Sequence, residues 1–184
     1  ATSVGHCNTM GTALSMNSLA EALGMSLPGC AAIPAAHRER GQIAHASGKR
    51  IVEMVHENLR PSDIMTRQAF ENAIVAASAL GASTNCPPHM IAIARHVGVE
   101  LKIEDWDRIG HDVPLLCDVQ PAGRFLGEGF YHAGGVQGVL RELHGAGMIH
   151  GDCMTVNGKT IAQNLERVPE PDHEVIRRYD APMK

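Results

Sequence analysis

The 184 residues carry a formal charge of −4, with 44% hydrophobic and 3% aromatic residues, enough apolar material for one domain-sized core. There is no broad basic surface, so nucleic acid is not an expected partner, and no apolar run reaches the length needed to span a bilayer, so a membrane is not one either. Five cysteines, at positions 7, 30, 86, 117 and 153, form no C-x-x-C pair, and that usage points to a reducing cytoplasmic setting rather than a secreted disulfide framework.

The chain opens without a methionine and runs at once into Gly5-His6-Cys7-Asn8-Thr9-Met10-Gly11-Thr12-Ala13, directly ahead of an apolar helical pattern. A thiolate at Cys7 would lie at a helix N-terminus, where unpaired N–H groups and the helix dipole lower its pKa, so it is a candidate metal ligand. The competing reading is a small buried hydrophobe. The N–H groups of Thr9 and Met10 would point out of the first turn toward a bound anion, unless Thr9 simply caps the helix.

Apolar residues at helical spacing follow at Met16-Leu19-Ala20-Leu23, more loosely at Ala44-Ile51-Met54-Val55, then at Phe70-Ala73-Ile74-Ala77, Met90-Ile93-Ala94-Val97 and Val136-Val139-Leu140-Leu143. Each is a helix with one buried face. Gly24, Gly81, Gly98 and Gly145 stand where left-handed C-terminal caps are expected, and Pro61-Ser62-Asp63 offers N-capping oxygens to the third helix. Ser83-Thr84-Asn85 precedes the fourth, as caps or as hydrogen-bonding groups for substrate hydroxyls, with Cys86 expected to pack.

Residues 113–119 form a short apolar run that predicts a strand, and Met154-Thr155-Val156 a weaker one before an Asn157-Gly158 turn and a short helix. The Asn157-Gly158-Lys159-Thr160 run is no phosphate loop, because Cys153 stands where that motif needs glycine. Gly134-Gly135 allows close backbone approach to another element. The eleven histidines show no zinc spacing such as H-E-x-x-H, and only His6, beside Cys7, invites a supporting role. Helices alternating with isolated strands predict the α/β class, as the helix-rich part of a layered α/β domain with few strands of its own. Residues 1–168 read as that partial domain and 169–184, with Pro169, Pro171 and Pro182, as an extended connection toward a further domain.

The run from Gly5 to Gly24 closely resembles the dihydroxy-acid and phosphogluconate dehydratase family. Within it, Ser26-Leu27-Pro28-Gly29-Cys30-Ala31-Ala32-Ile33-Pro34 and Arg38-Glu39-Arg40-Gly41-Gln42 look most like the sugar-acid branch, the xylonate and arabinonate dehydratases. Pro61-Ser62-Asp63-Ile64, Ser83-Thr84-Asn85, Val113-Pro114-Leu115-Leu116, Ala133-Gly134-Gly135-Val136 and Thr155-Val156-Asn157-Gly158-Lys159-Thr160 extend the likeness in order along the chain.

The resemblance implies a hydro-lyase that removes water from an aldonic acid to give a 2-keto-3-deoxy acid. It implies an iron–sulfur cluster, expected as 2Fe–2S, with Cys7 matching the last of three cluster cysteines and one iron left open as a Lewis acid. It also implies Mg2+ and a serine base whose residues lie outside this chain, so no catalytic residue is expected here. Substrate contacts are expected from Thr9, Met10, Ser83, Thr84 and Asn85. The chain reads as an internal piece of a longer enzyme that is cytoplasmic and homo-oligomeric, inactive by itself and prone to expose an apolar face. A branched-chain dihydroxy-acid dehydratase of the same family, or a structural module without cofactor, are the alternative readings.

Overall fold

All five periodic stretches fold as helices in the structure, a computed structural model that describes residues 8–184. The element order is α1 (Thr12–Ala22), α2 (Arg38–Glu57), α3 (Pro61–Ile64), α4 (Arg67–Leu80), α5 (Cys86–His96), α6 (Glu104–Gly110), α7 (Gly127–His132), α8 (Gly135–Gly145) and α9 (Ile161–Leu165). The short α3, α6 and α7 carry too few turns to register as an apolar period.

Helix α4 is the centre of the core. Ten of its 14 residues are buried, five of them alanines, and these small side chains let α1, α5, α6 and α8 pack against it. The Thr66 hydroxyl accepts the Ala69 N–H at 3.3 Å to start the helix, and Gly81 closes it in the left-handed region. Pro61-Ser62-Asp63 therefore does not cap this helix. It forms α3, whose Asp63 carboxylate accepts the Arg60 N–H.

Gly24 and Gly98 also adopt positive φ, whereas Gly145 lies inside α8 and the left-handed position falls to Gly147. Gly24 could hold no other residue. Its carbonyl accepts the Val156 N–H at 2.8 Å, and a Cβ there would stand 2.7 Å from the Met154 carbonyl.

The two predicted strands do not form a sheet among the described residues. Residues 113–119 are extended, but Leu116 and Cys117 donate their N–H groups to the Ala79 carbonyl at the end of α4. The run then makes only isolated bridges, Cys117 to Ile176 and Val119 to Phe125. Pro114 removes one donor, and each neighbour meets the run over a single residue pair, so no ladder can propagate. Met154 bridges Thr160 around the Asn157-Gly158 turn, leaving the hairpin one pair long.

The proline-bearing tail turns at residues 173–175 and 179–180 and is anchored to the core. Val175 and Ile176 are buried, Asp118 N–H donates to Val175 O, Arg177 N–H to Leu116 O, and Met183 N–H to Leu115 O. Asp118, itself buried, accepts the Arg124 N–H at 2.7 Å and Arg124 Nε at 2.8 Å. Burial alone would raise its carboxyl, yet these bonds hold it below the usual value.

Helix α2 is the exception to the packing. Of its 20 residues only Met54 is buried, while Ile51, Val52 and Val55 are 55%, 56% and 73% exposed. Ile51 and Val55, with Met25, Leu27, Leu59 and Val156, edge an apolar groove of about 530 Å³. No helix among the described residues is long and apolar enough to cross a membrane.

Candidate functional site

Cys7 lies outside the described residues, as does His6. What the structure gives is the segment immediately after it. Asn8 is tied to the start of α7 by two bonds: its carbonyl accepts the Gly127 N–H at 2.9 Å and its side-chain oxygen accepts the Glu128 N–H at 2.8 Å. A Cβ on Gly127 would come 2.9 Å from that oxygen, so the close approach requires glycine there.

Gly11 is the N-cap of α1, and with no side chain it makes no capping bond. Gly11 thus gives the first-turn N–H groups of this 11-residue helix no side-chain cap, and the helix dipole favours negative charge ahead of it. Thr9 stands two residues before the N-cap residue Gly11. Met10 departs from expectation: its N–H donates to the Gln120 carbonyl at 2.7 Å and its side chain is buried in the core, so neither is free to meet an anion. Met10 anchors the turn.

Ser83, Thr84 and Asn85 were expected above all to cap α5. They do not, since Asn85 occupies the N-cap in a helical conformation without a side-chain bond. Pro87 and Pro88 in that first turn have no N–H to satisfy, which lowers the demand for a cap.

The motif instead reaches across to α1. Asn85 Nδ2 donates to Thr12 Oγ1 at 2.8 Å, Thr12 Oγ1 lies 3.1 Å from Ser83 Oγ, and Ser83 Oγ accepts the Asn85 N–H at 3.3 Å. Ser83 N–H donates to the buried Ser15 hydroxyl at 3.0 Å. Either hydroxyl can donate across the Thr12–Ser83 contact, and with Thr12 as donor the Ser83 proton serves an acceptor outside the network, beside the Asn85 side-chain oxygen. One hydroxyl donor and one amide acceptor on a half-exposed ledge, next to the N-terminus of α1, suit a ligand carrying both hydroxyls and negative charge. Thr84 is exposed on the same loop. Thr12 was not singled out from sequence, although a hydroxyl in the first turn of the helix that follows Cys7 was the available signal.

A second brace sets the loop after α1. The buried Glu21 carboxylate accepts the Gly29 N–H at 2.7 Å, the Ala31 N–H at 2.8 Å and Gln137 Nε2 at 2.6 Å. Burial raises its pKa, with the hydrogen bonds opposing. Arg40 reaches the carbonyls of Cys30 and Ile33, so the 29–33 loop is fixed from α1, α2 and α8 together.

The four described cysteines are poor metal ligands. Burial drives every one of their thiols up, Cys153 to about 11 and Cys117 further, away from the thiolate that binds metal. Cys30, Cys86, Cys117 and Cys153 are all free.

Comparison with known proteins agrees with the sequence motifs. Residues 1–164 match the model of the dihydroxy-acid/6-phosphogluconate dehydratase N-terminal family. The chain is 55% identical over 183 residues to a D-xylonate dehydratase of Caulobacter vibrioides, a match covering 100% of this chain and 31% of the relative. It is 49% identical over 181 residues to a dihydroxy-acid dehydratase of Mycobacterium ulcerans and 47% to one of Renibacterium salmoninarum, each match covering 97% of this chain and 32% of the relative. The chain spans about a third of the length of these relatives.

Proposed function

We propose that this chain, which belongs to the dihydroxy-acid/6-phosphogluconate dehydratase N-terminal family, forms one wall of the active site of a sugar-acid dehydratase, a hydro-lyase that converts an aldonate such as xylonate to its 2-keto-3-deoxy acid. The observation that carries the reading is the higher identity to the D-xylonate enzyme, 55% against 47–49% for the dihydroxy-acid enzymes. The ledge of Ser83 and Asn85, held by Thr12, supports it, because a polyol acid has hydroxyls beyond C3 that need partners and a branched-chain acid does not.

The reaction breaks the C2–H and C3–O bonds and leaves an enol that tautomerises to the ketone. Cys7 is the residue of this chain that would hold an iron–sulfur cluster of the 2Fe–2S type, which when bound supplies a Lewis acid for the departing hydroxide. Asn8 and Gly127 fix the segment that follows this ligand, and the α1 N-terminus favours the substrate's negative charge. The Ser83 hydroxyl and Asn85 carbonyl orient substrate hydroxyls. The remaining cluster ligands, the Mg2+ site and the base belong to chain outside these residues, as do the strands that would pair with residues 113–119 in a layered α/β domain.

A dihydroxy-acid dehydratase is the second reading, favoured by the identities of 47–49% to several such enzymes. Turnover by the longer enzyme distinguishes the two. We expect kcat/KM for a pentonate to exceed that for a branched-chain 2,3-dihydroxy acid by at least tenfold, about 1.4 kcal/mol in transition-state binding. The reverse order would transfer the assignment.

A further inference from the structure

We propose that His37, Glu128 and His132 form a binding site for one divalent transition cation of the Zn2+ class. The three residues come from two distant parts of the chain. Glu128 and His132 stand four apart on α7 and so share a face, and His37, at the N-cap of α2, meets them from the other side.

His37 Nε2 lies 3.3 Å from Glu128 Oε1, and one ligand atom from each residue falls within 4.8 Å of the others. A tetrahedral site with bonds near 2.1 Å needs ligand atoms about 3.4 Å apart. The separations, none above 4.8 Å, therefore need to contract by at most roughly 1.4 Å on binding, an adjustment asked of the exposed His132 side chain.

The backbone around the three is already fixed. Asn8 holds the N–H of Glu128, and His37 N–H donates to Pro34 O while His37 O accepts from Arg40 N–H. The Tyr131 ring stands edge-on to His37 at 5.6 Å and lies 5.1 Å from His132, limiting the orientations of both imidazoles. Two imidazoles and one carboxylate are the ligand set of a three-ligand zinc site with an open fourth position, and nitrogen ligands disfavour Mg2+ and Ca2+.

Among the described residues the site includes no cysteine, and the proposal gives it no share in the role assigned to Cys7. A bound ion would clamp the start of α2 to α7 and, through Asn8, to the segment that adjoins Cys7. The competing arrangement is a plain His37–Glu128 ion pair with His132 merely nearby.

The test is calorimetric and optical titration of the EDTA-treated 184-residue chain with Co2+ and then Zn2+. We expect one equivalent bound with Kd on the order of 1–10 μM, visible Co2+ bands without a thiolate charge-transfer band, and the same binding in Cys7→Ser. His132→Ala should weaken binding at least tenfold, and His37→Gln likewise, each with an unchanged far-UV circular dichroism spectrum. At free metal 100-fold above Kd, Tm of the unsubstituted chain should rise by roughly 5–10 °C and that of His132→Ala should not. No saturable binding below about 1 mM overturns the proposal. So does binding that survives both histidine substitutions or vanishes in Cys7→Ser.

Discussion

Replacing Glu21 tests the brace that sets the 29–33 loop. In Glu21→Ala the carboxylate is lost and three donors lose their acceptor: the N–H groups of Gly29 and Ala31 and the amide of Gln137. Gly29 is exposed and its N–H can turn to water, so two donors matter. A buried donor left unpaired costs about 1–3 kcal/mol, and two give roughly 2–6 kcal/mol. Removal of a buried charge, whose burial raises its own pKa, offsets part of that, leaving a net loss of about 2–4 kcal/mol. Glu21→Gln keeps an acceptor for Gly29 and Gln137 but turns an NH2 toward the Ala31 N–H, for about 1–2 kcal/mol. Urea unfolding followed by circular dichroism should therefore order the proteins as wild type, then Gln, then Ala. An alanine variant within about 0.5 kcal/mol of wild type, the range of ordinary surface changes, would refute the brace.

Gly24→Ala should lose about 2 kcal/mol or more in the same assay, because φ is +87° and the new methyl meets the Met154 carbonyl. Gly48→Ala, mid-helix in α2 with open space around it, should instead gain about 0.5–1 kcal/mol. Asp105 accepts two bonds from Arg67, together with bonds from Lys102 N–H and Arg108, and the Arg67 guanidinium holds its carboxyl well below 3.8. A lowered folded pKa gives stability that is present above the unfolded value and lost as pH falls below it. Acid unfolding of Asp105→Asn should accordingly show a shallower loss below pH 3.8 than wild type. In the longer enzyme, Ser83→Ala should raise KM for a pentonate about tenfold, the worth of one hydrogen bond, with its far-UV circular dichroism unchanged.

Helices were legible wherever one face is apolar over three turns, as in α4 and α8, because burial of that face decides the conformation. The strand expected at residues 113–119 failed for a reason outside the segment. Its apolar run satisfies a strand and a buried connector equally, and only the Ala79 carbonyl and the Ile176 tail decide which forms. The tail itself reads as loose because prolines mark it, while Val175 and Ile176, the two residues that anchor it, are too few to show a period. In the site, Ser83 and Asn85 were visible as polar groups between helices, but their partner Thr12 lies some 70 residues away and no local pattern connects them. The His37–Glu128–His132 group was invisible for the same reason: Glu128-x-x-x-His132 is an ordinary surface spacing until α2 brings His37 to it. Met10 shows the opposite error, a residue adjacent to the motif whose N–H and side chain are both consumed by the fold.

The claim on which the functional account depends is that Cys7 holds iron. It is tested most directly by purifying the longer enzyme anaerobically, with and without Cys7→Ser, and measuring iron, sulfide and visible absorption per chain. The account predicts about two irons and two sulfides with a thiolate-to-iron absorption band in the native enzyme, and loss of the band in the variant while its far-UV circular dichroism is kept. A native enzyme that turns over pentonates without iron, or a Cys7→Ser variant that retains the full band, would contradict it.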